Sequence, residues 1–232
     1  MTLFVHETHH VRGRAEEAFE AAYRDRWMPV LGGDADARLL WYCHHAHGSG
    51  PAYHVVTVTA VRDGAAWERL MRRVGDGDLA PWAADVDELR HALHAKVLVP
   101  VPWSPLQDVD LDAVPTEPGD HDLSLYMEDT GWPHQNRLEA YVSLAGRAYA
   151  PLLHQSGFLR MEASFRPAFG THRRAEMVLM QKILDPDRLT GLLTTEVPPE
   201  RRARGTWMHD ALDVRDTWES RLLRTTSWSP WW

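Results

Sequence analysis

The sequence predicts an α+β fold made of two tandem copies of one βαββαβ unit. Three observations predict it. Residues 37–70 align without a gap on residues 159–192, pairing Arg38 with Arg160, Gly48 with Gly170, Val56 with Val178 and Asp63 with Asp185. The same offset pairs Glu17 with Glu139 and Pro29 with Pro151, and a slightly larger one pairs Trp103-Ser104-Pro105 with Trp228-Ser229-Pro230. Each copy also alternates strand-like and helix-like patterning in one order. A repeat this long is a domain rather than a solenoid unit.

In the first copy Leu3 to Thr8 reads as a strand. A helix follows from about Ala15, with Phe19, Ala22, Tyr23, Trp27 and Val30 at helical spacing, closed by Gly32-Gly33. Leu39 to His45 and the β-branched run Tyr53 to Val61 are strands joined by the turn Gly48-Ser49-Gly50-Pro51. Asp63 caps a helix whose stripe is Trp67, Leu70, Met71 and Val74. A helix from Trp82 to His94 leads to a last strand, Lys96 to Val101.

The second copy repeats the order. Strands run over Leu123–Glu128, Leu159–Phe165 and Glu176–Leu184, with a helix marked by Leu138, Tyr141, Val142, Ala145 and Leu152. Asp185-Pro186 starts another helix. The Asp- and Pro-rich stretch Leu106 to His121 has no periodicity and reads as a linker. The expected domains are 1–105 and 122–232, joined by linker 106–121. This strand and helix order is the ferredoxin-like motif. Its helices cover one sheet face, so two copies can pack their bare faces together as an intramolecular α/β barrel.

Composition narrows the function. A net charge of −8 without a basic stripe argues against nucleic acid. The lone Cys43 excludes an internal disulfide framework and fits a reducing cytoplasmic setting. No apolar run reaches the ~20 residues of a membrane span, and the N-terminus has no secretory apolar core. There is no phosphate-cradling glycine loop, CxxC pair or GxSxG elbow.

Period-two alternation sorts the strands into faces. Leu39, Trp41 and Cys43, with Met161, Ala163 and Phe165, form an apolar set expected against the helices, which leaves Cys43 as inert packing. The opposite, inward set is Leu40, Tyr42 and His44, with Glu162, Ser164 and Arg166. Strand one turns Phe4, His6 and Thr8 inward, opposite Ser124, Tyr126 and Glu128 in the other copy. Strand three adds His54, Val56 and Val58, against Glu176, Val178 and Met180, with Lys182 at the rim. A polar lining of this kind is costly to bury unless partners, water or a ligand satisfy it.

The sequence resembles the NIPSNAP branch of the dimeric α/β-barrel superfamily. The carrying residues are Val5 to Gly13, Pro29-Val30-Leu31, the third strand running into Asp63, and Pro102-Trp103-Ser104-Pro105. The second copy adds Pro151-Leu152-Leu153 and Trp228-Ser229-Pro230. Strand one departs from the family pattern, with His6 and Thr8 where Arg and Tyr are expected. The resemblance implies a site between the bare sheet face and the helices or the partner sheet. The superfamily includes cofactor-free oxygenases and cyclases of aromatic polyketides, haem enzymes and small-molecule lyases.

The residues and the resemblance together lead to an expected small-molecule enzyme of secondary metabolism. It would work by His-assisted deprotonation of an aromatic or polyketide-like substrate, followed by cofactor-free oxygenation or cyclisation. The candidate catalytic residues are His6 or His44 as base, Tyr42, Tyr126 or Arg166 holding the oxyanion, and Glu128 or Glu162 orienting a histidine or acting as acid. Phe4, His54, Val56, Tyr126, Glu162, Ser164 and Met180 are candidate substrate contacts. No cofactor or resident metal is expected, and the partners are a small molecule and a second copy in a homodimer. Two alternatives stay open. One is a non-catalytic binding or scaffold protein. The other is a metal or haem enzyme, using interior histidines or an axial His91, His94, His154 or His209.

Overall fold

The computed structural model describes residues 1–171 and 173–232. Its elements, in chain order, begin with β1 (Leu3–Val11), α1 (Glu16–Ala22) and α2 (Met28–Gly32). Strands β2 (Ala37–His45) and β3 (His54–Val61), helices α3 (Gly64–Gly75) and α4 (Ala80–Glu88), and β4 (Arg90–Pro100) complete the first copy. The second copy holds β5 (Leu125–Pro133), α5 (Leu138–Leu144), α6 (Ala150–Ser156), β6 (Leu159–Pro167) and β7 (Met177–Ile183). It ends with α7 (Pro186–Thr194), the short α8 (Trp207–Asp210) and β8 (Arg215–Thr225).

The predicted first helix is interrupted in both copies by a π-helical turn, Tyr23–Trp27 and Ala145–Tyr149. Proline explains both. Pro29 and Pro151 have no N–H to give the carbonyl four residues back, and their rings would strike it, so the turn widens. The helix caps read from the sequence are present. Asp63 accepts from the Ala66 N–H at 2.8 Å, and Asp185 accepts from the N–H groups of Asp187 and Arg188. The turns at Gly48 and Gly170 each use φ +81°, which glycine adopts without strain.

One expected helix is shorter than its sequence pattern. The segment Trp82 to His94 was read as helical, yet α4 ends at Glu88 and Arg90 onward is strand. Antiparallel pairing with β1, from Phe4 opposite Leu98 to Val11 opposite Arg90, overrides the weak helical preference of His91 to Ala95.

The chain divides into two compact units. The first comprises residues 1–99, 108–124 and 223–232, and the second comprises 100–107 and 125–222. In the first, the antiparallel order is β4-β1-β3-β2, and Leu223–Thr225 of β8 pair with Cys43–His45. In the second, the order is β8-β5-β7-β6, and the Val101 N–H bonds to the Ser164 carbonyl at 3.0 Å. The end of each copy therefore belongs to the other unit.

The repeated Trp-Ser-Pro triplets do equivalent work after this exchange. In the first unit the Ser229 hydroxyl accepts the Tyr42 N–H at 3.1 Å, and the Trp228 indole donates to Glu20 at 2.8 Å. In the second, the Ser104 hydroxyl accepts the Ser164 N–H at 2.9 Å, and the Trp103 indole donates to the Val142 carbonyl at 2.8 Å. Two residues of the expected linker, Leu111 and Val114, are buried, so this segment is packed rather than a free tether.

A Cβ at Gly146 would stand 2.5 Å from the Trp103 ring, whereas one at Gly191 in α7 meets open space. Gly146→Ala should cost about 1–3 kcal/mol. Gly191→Ala should gain about 0.5–1 kcal/mol. Denaturant melts of the two variants check both signs; a neutral Gly146→Ala would refute the close indole contact.

Candidate functional site

Residues directly opposite in an antiparallel pair share a sheet face. In the first unit Phe4, His6 and Thr8 oppose Ala60, Val58 and Val56 on one side, and Leu98, Lys96 and His94 on the other. Val55 and Val61 lie on the alternate face, where they pack with Phe19, Tyr23, Leu31 and Leu70 beneath the helices. Phe4, His6, Val56 and Val58 therefore lie on the bare face, as alternation predicts. His6 is 1% exposed and Phe4, Val56, Val58 and Leu98 are fully buried. Lys96, which sequence reasoning did not single out, is the cross-strand neighbour of His6.

His54 lies at one end of this face, opposite His10. Their rings are 4.7 Å apart, and His45 and His91 extend the row at 5.2 Å from His54 and His10 respectively. Among the described residues no group of three His, Cys, Asp or Glu is arranged to hold a metal ion. The proposed helical haem ligands also sit elsewhere. His91 and His94 are on β4, His154 is exposed, and His209 bonds Asp210.

The second strand of each copy departs from simple alternation. The pairing of β2 with β3 shifts between Leu39 and Trp41, and that of β6 with β7 shifts between Met161 and Ala163. Each shift is a β-bulge, which inserts one residue and reverses the faces beyond it. Trp41 and Cys43 consequently oppose Val58 and Val56 on the bare face, and Ala163 and Phe165 oppose Met180 and Val178. Their expected place against the helices is corrected accordingly.

The inward expectation for Tyr42, His44, Ser164 and Arg166 is corrected for the same reason. Tyr42 is fully buried among the helices, 5.6 Å from the Tyr23 ring and 4.8 Å from Trp228. Burial, reinforced by Glu20 and Glu16, holds its hydroxyl well above the ordinary tyrosine range. His44 reaches α1, with Nδ1 3.3 Å from Glu16 and Nε2 3.2 Å from Glu20. Arg166 pairs with Glu139 of α5, and Ser164 opposes Leu179 of the helix-side core. Glu162, the bulge residue, pairs with Arg160 at 2.6 Å.

In the second unit Tyr126, Glu128 and Thr130 oppose Lys182, Met180 and Val178 on the bare face. Glu128 is 1% exposed and lies 3.7 Å from Arg221. Glu176, also buried, accepts from the Trp132 indole at 3.0 Å. Of the expected catalytic residues, the bare faces thus carry His6 in the first unit and Glu128 in the second.

Alternation did not flag a second polar cluster, under the helices of the first unit. Arg90 donates to His9 Nδ1 at 2.9 Å. Arginine has no acceptor, so the ring proton sits on Nε2, 3.1 Å from the Thr57 hydroxyl, which donates onward to Glu7 at 3.2 Å. Burial, then Arg90 and His6, hold His9 well below the ordinary histidine range, so the ring is neutral. Its packing against Phe19 and Tyr23 makes it a satisfied core histidine.

The second unit solves the same position differently. Gly131 stands where the first copy has His9, and a Cβ there would lie 2.1 Å from the Tyr141 hydroxyl. Burial pushes that phenol up to about 12, against Arg215. The Arg215 guanidinium lies 5.5 Å from the Tyr141 ring and 5.6 Å from both Trp207 and Trp218.

No protein-family model and no curated protein matches the sequence. Solved structures do match. An anthrone oxidase-like protein aligns with a TM-score of 0.64 and 9% identity, over 97% of this chain and 91% of its own. A candidate monooxygenase from Fusobacterium nucleatum aligns at 0.62 and 9%, over 97% and 92%. The likeness shows the fold alone, ferredoxin-like α+β units repeated in tandem. A NIPSNAP family protein from Agrobacterium tumefaciens, at 18% identity and a TM-score of 0.37, matches 46% of this chain with 100% of its own. No helix among the described residues is long and apolar enough to cross a membrane.

The Glu20 carboxyl is held below its ordinary value of about 4.5, first by its hydrogen bond to His44, against burial, and then by the Trp228 indole. The folded state thus favours ionised Glu20. Its stabilisation is complete above the unfolded carboxyl's pKa and disappears as pH falls through the lower folded value. Unfolding free energy measured from about pH 6 to pH 3 should fall less steeply in Glu20→Gln than in the parent. Equal slopes would contradict the assignment.

Proposed function

We propose that this protein oxygenates an aromatic C–H acid without a bound cofactor, with His6 as general base. The observation that carries this reading is His6 itself, nearly sealed on a face of Phe4, Val56, Val58 and Leu98, with Lys96 directly across the strand pair. The apolar residues suit a flat ring, and a cation beside a base suits an anion forming on that ring. The anthrone oxidase-like fold neighbour supports the choice of an anthrone-type substrate.

The imidazole takes a proton from the methylene carbon, and the Lys96 ammonium holds the enolate oxygen. The enolate passes one electron to dioxygen, and the radical pair joins to form a carbon–oxygen bond. The hydroperoxide, once protonated, loses water to leave a ketone. One dioxygen is consumed; one oxygen atom enters the product and the other leaves as water. Phe4, His54 and Val56, on the same face as His6, are the proposed substrate contacts. Tyr42, His44, Glu162, Ser164 and Arg166 have no part in this reading, since the bulges occupy or redirect them.

Oxygen uptake with anthrone tests it. The parent protein should consume one dioxygen per quinone formed. His6→Gln should lose about 10²-fold or more of that rate. His44→Gln should retain it. Absence of uptake above buffer, or full activity in His6→Gln, would overturn the proposal.

A further inference from the structure

The two copies differ where the first helix meets the segment before the last strand. In the first copy this seam is closed. Arg26 reaches across to Asp85 of α4 at 2.7 Å, and Leu79 is buried at 4% exposure. Trp82 stacks on Trp27 at 4.3 Å beneath them. In the second copy the stack persists as Trp207 on Tyr149 at 5.0 Å, and Asp85 persists as Asp210. The strap and the plug do not. Ala148 stands in the place of Arg26, and Arg204 in the place of Leu79.

A cleft of about 600 Å³ opens there, wholly within the second unit. Its apolar surface comes from Ala140, Leu144 and Val214, and Ser143 offers a hydroxyl. Val214 packs on the Tyr141 and Trp207 cluster, so the floor is firm. Arg147 and Arg204 line the cleft; among the described residues neither guanidinium makes a hydrogen bond or a close ion pair, and Arg204 adds only a minor electrostatic pull on Asp210. Asp213 also lines it, and Asp210 is engaged by the Gly205 N–H at 3.0 Å and by His209 at 3.0 Å.

We infer that this cleft binds a small carboxylate with a flat apolar body, its carboxylate between Arg147 and Arg204. An Arg pair recognises a carboxylate by charge-assisted, bidentate hydrogen bonds, and the apolar floor takes the remainder. The site is separate from the His6 face and does not depend on its chemistry.

Calorimetric titration of the full chain with 2-naphthoate tests the inference. Saturable binding with about 1:1 stoichiometry is expected, unchanged in His6→Gln. An Arg147→Gln/Arg204→Gln variant should bind at least about ten-fold more weakly, the loss of about 1.4 kcal/mol. Ala148→Arg, which rebuilds the first copy's strap to Asp210, should weaken binding likewise while leaving circular dichroism unchanged. Absence of saturation at millimolar probe, undiminished binding in both variants, or loss of binding in His6→Gln would overturn it.

Discussion

Two serine hydroxyls hold the architecture to its purpose. A β-bulge leaves backbone groups of the bulged strand without a ladder partner, and a buried N–H must find one. Just beyond each bulge the Tyr42 N–H is taken by Ser229 and the Ser164 N–H by Ser104. The Leu40 carbonyl, on the first bulge itself, accepts the Trp231 N–H at 2.9 Å. Both serines arrive on chain ends that have crossed into the opposite unit. Bulge and exchange are therefore one device. The bulge decides which side chains meet the helices, and the exchanged Trp-Ser segments satisfy the backbone it disturbs.

Duplication let the two copies diverge around this shared frame. The first keeps a complete imidazole network at His9 and a sealed helix seam. The second replaces the His9 and Phe19 pair with Gly131 and Tyr141, a phenol entering the space a ring vacates. The bare faces diverge as well. One carries His6 and Lys96, the other Glu128 and Arg221. A homodimer of identical single copies would have to carry the same groups on both faces.

Much of this was legible in the sequence. The repeat, the caps at Asp63 and Asp185, the glycine turns and the faces of β1, β3, β5 and β7 follow from periodicity and local chemistry. The bulges did not. Leu39-Leu40-Trp41-Tyr42 is apolar on both faces, so alternation has no phase there and an inserted residue leaves no trace. Tyr42 and His44 were assigned to the wrong face for that reason, whereas Ser164 and Arg166 were misplaced because β6 alternates cleanly straight through its bulge. Nor did the stretch His91 to Ala95 announce a strand, because only pairing with β1 makes it one. The His9 network escaped because Arg90, its partner, lies 81 positions away.

Inserting one alanine between Leu39 and Leu40 puts the phase of β2 directly to the test. The bulge absorbs a single extra residue. With two, Tyr42 and His44 would have to leave the helix layer and Trp41 and Cys43 would have to enter it. A one-residue slip of this kind exchanges every buried contact of the strand. Denaturant unfolding of the insertion variant should show a loss of more than about 4 kcal/mol or no cooperative transition at all. An insertion variant with the parent's midpoint and slope would contradict the account.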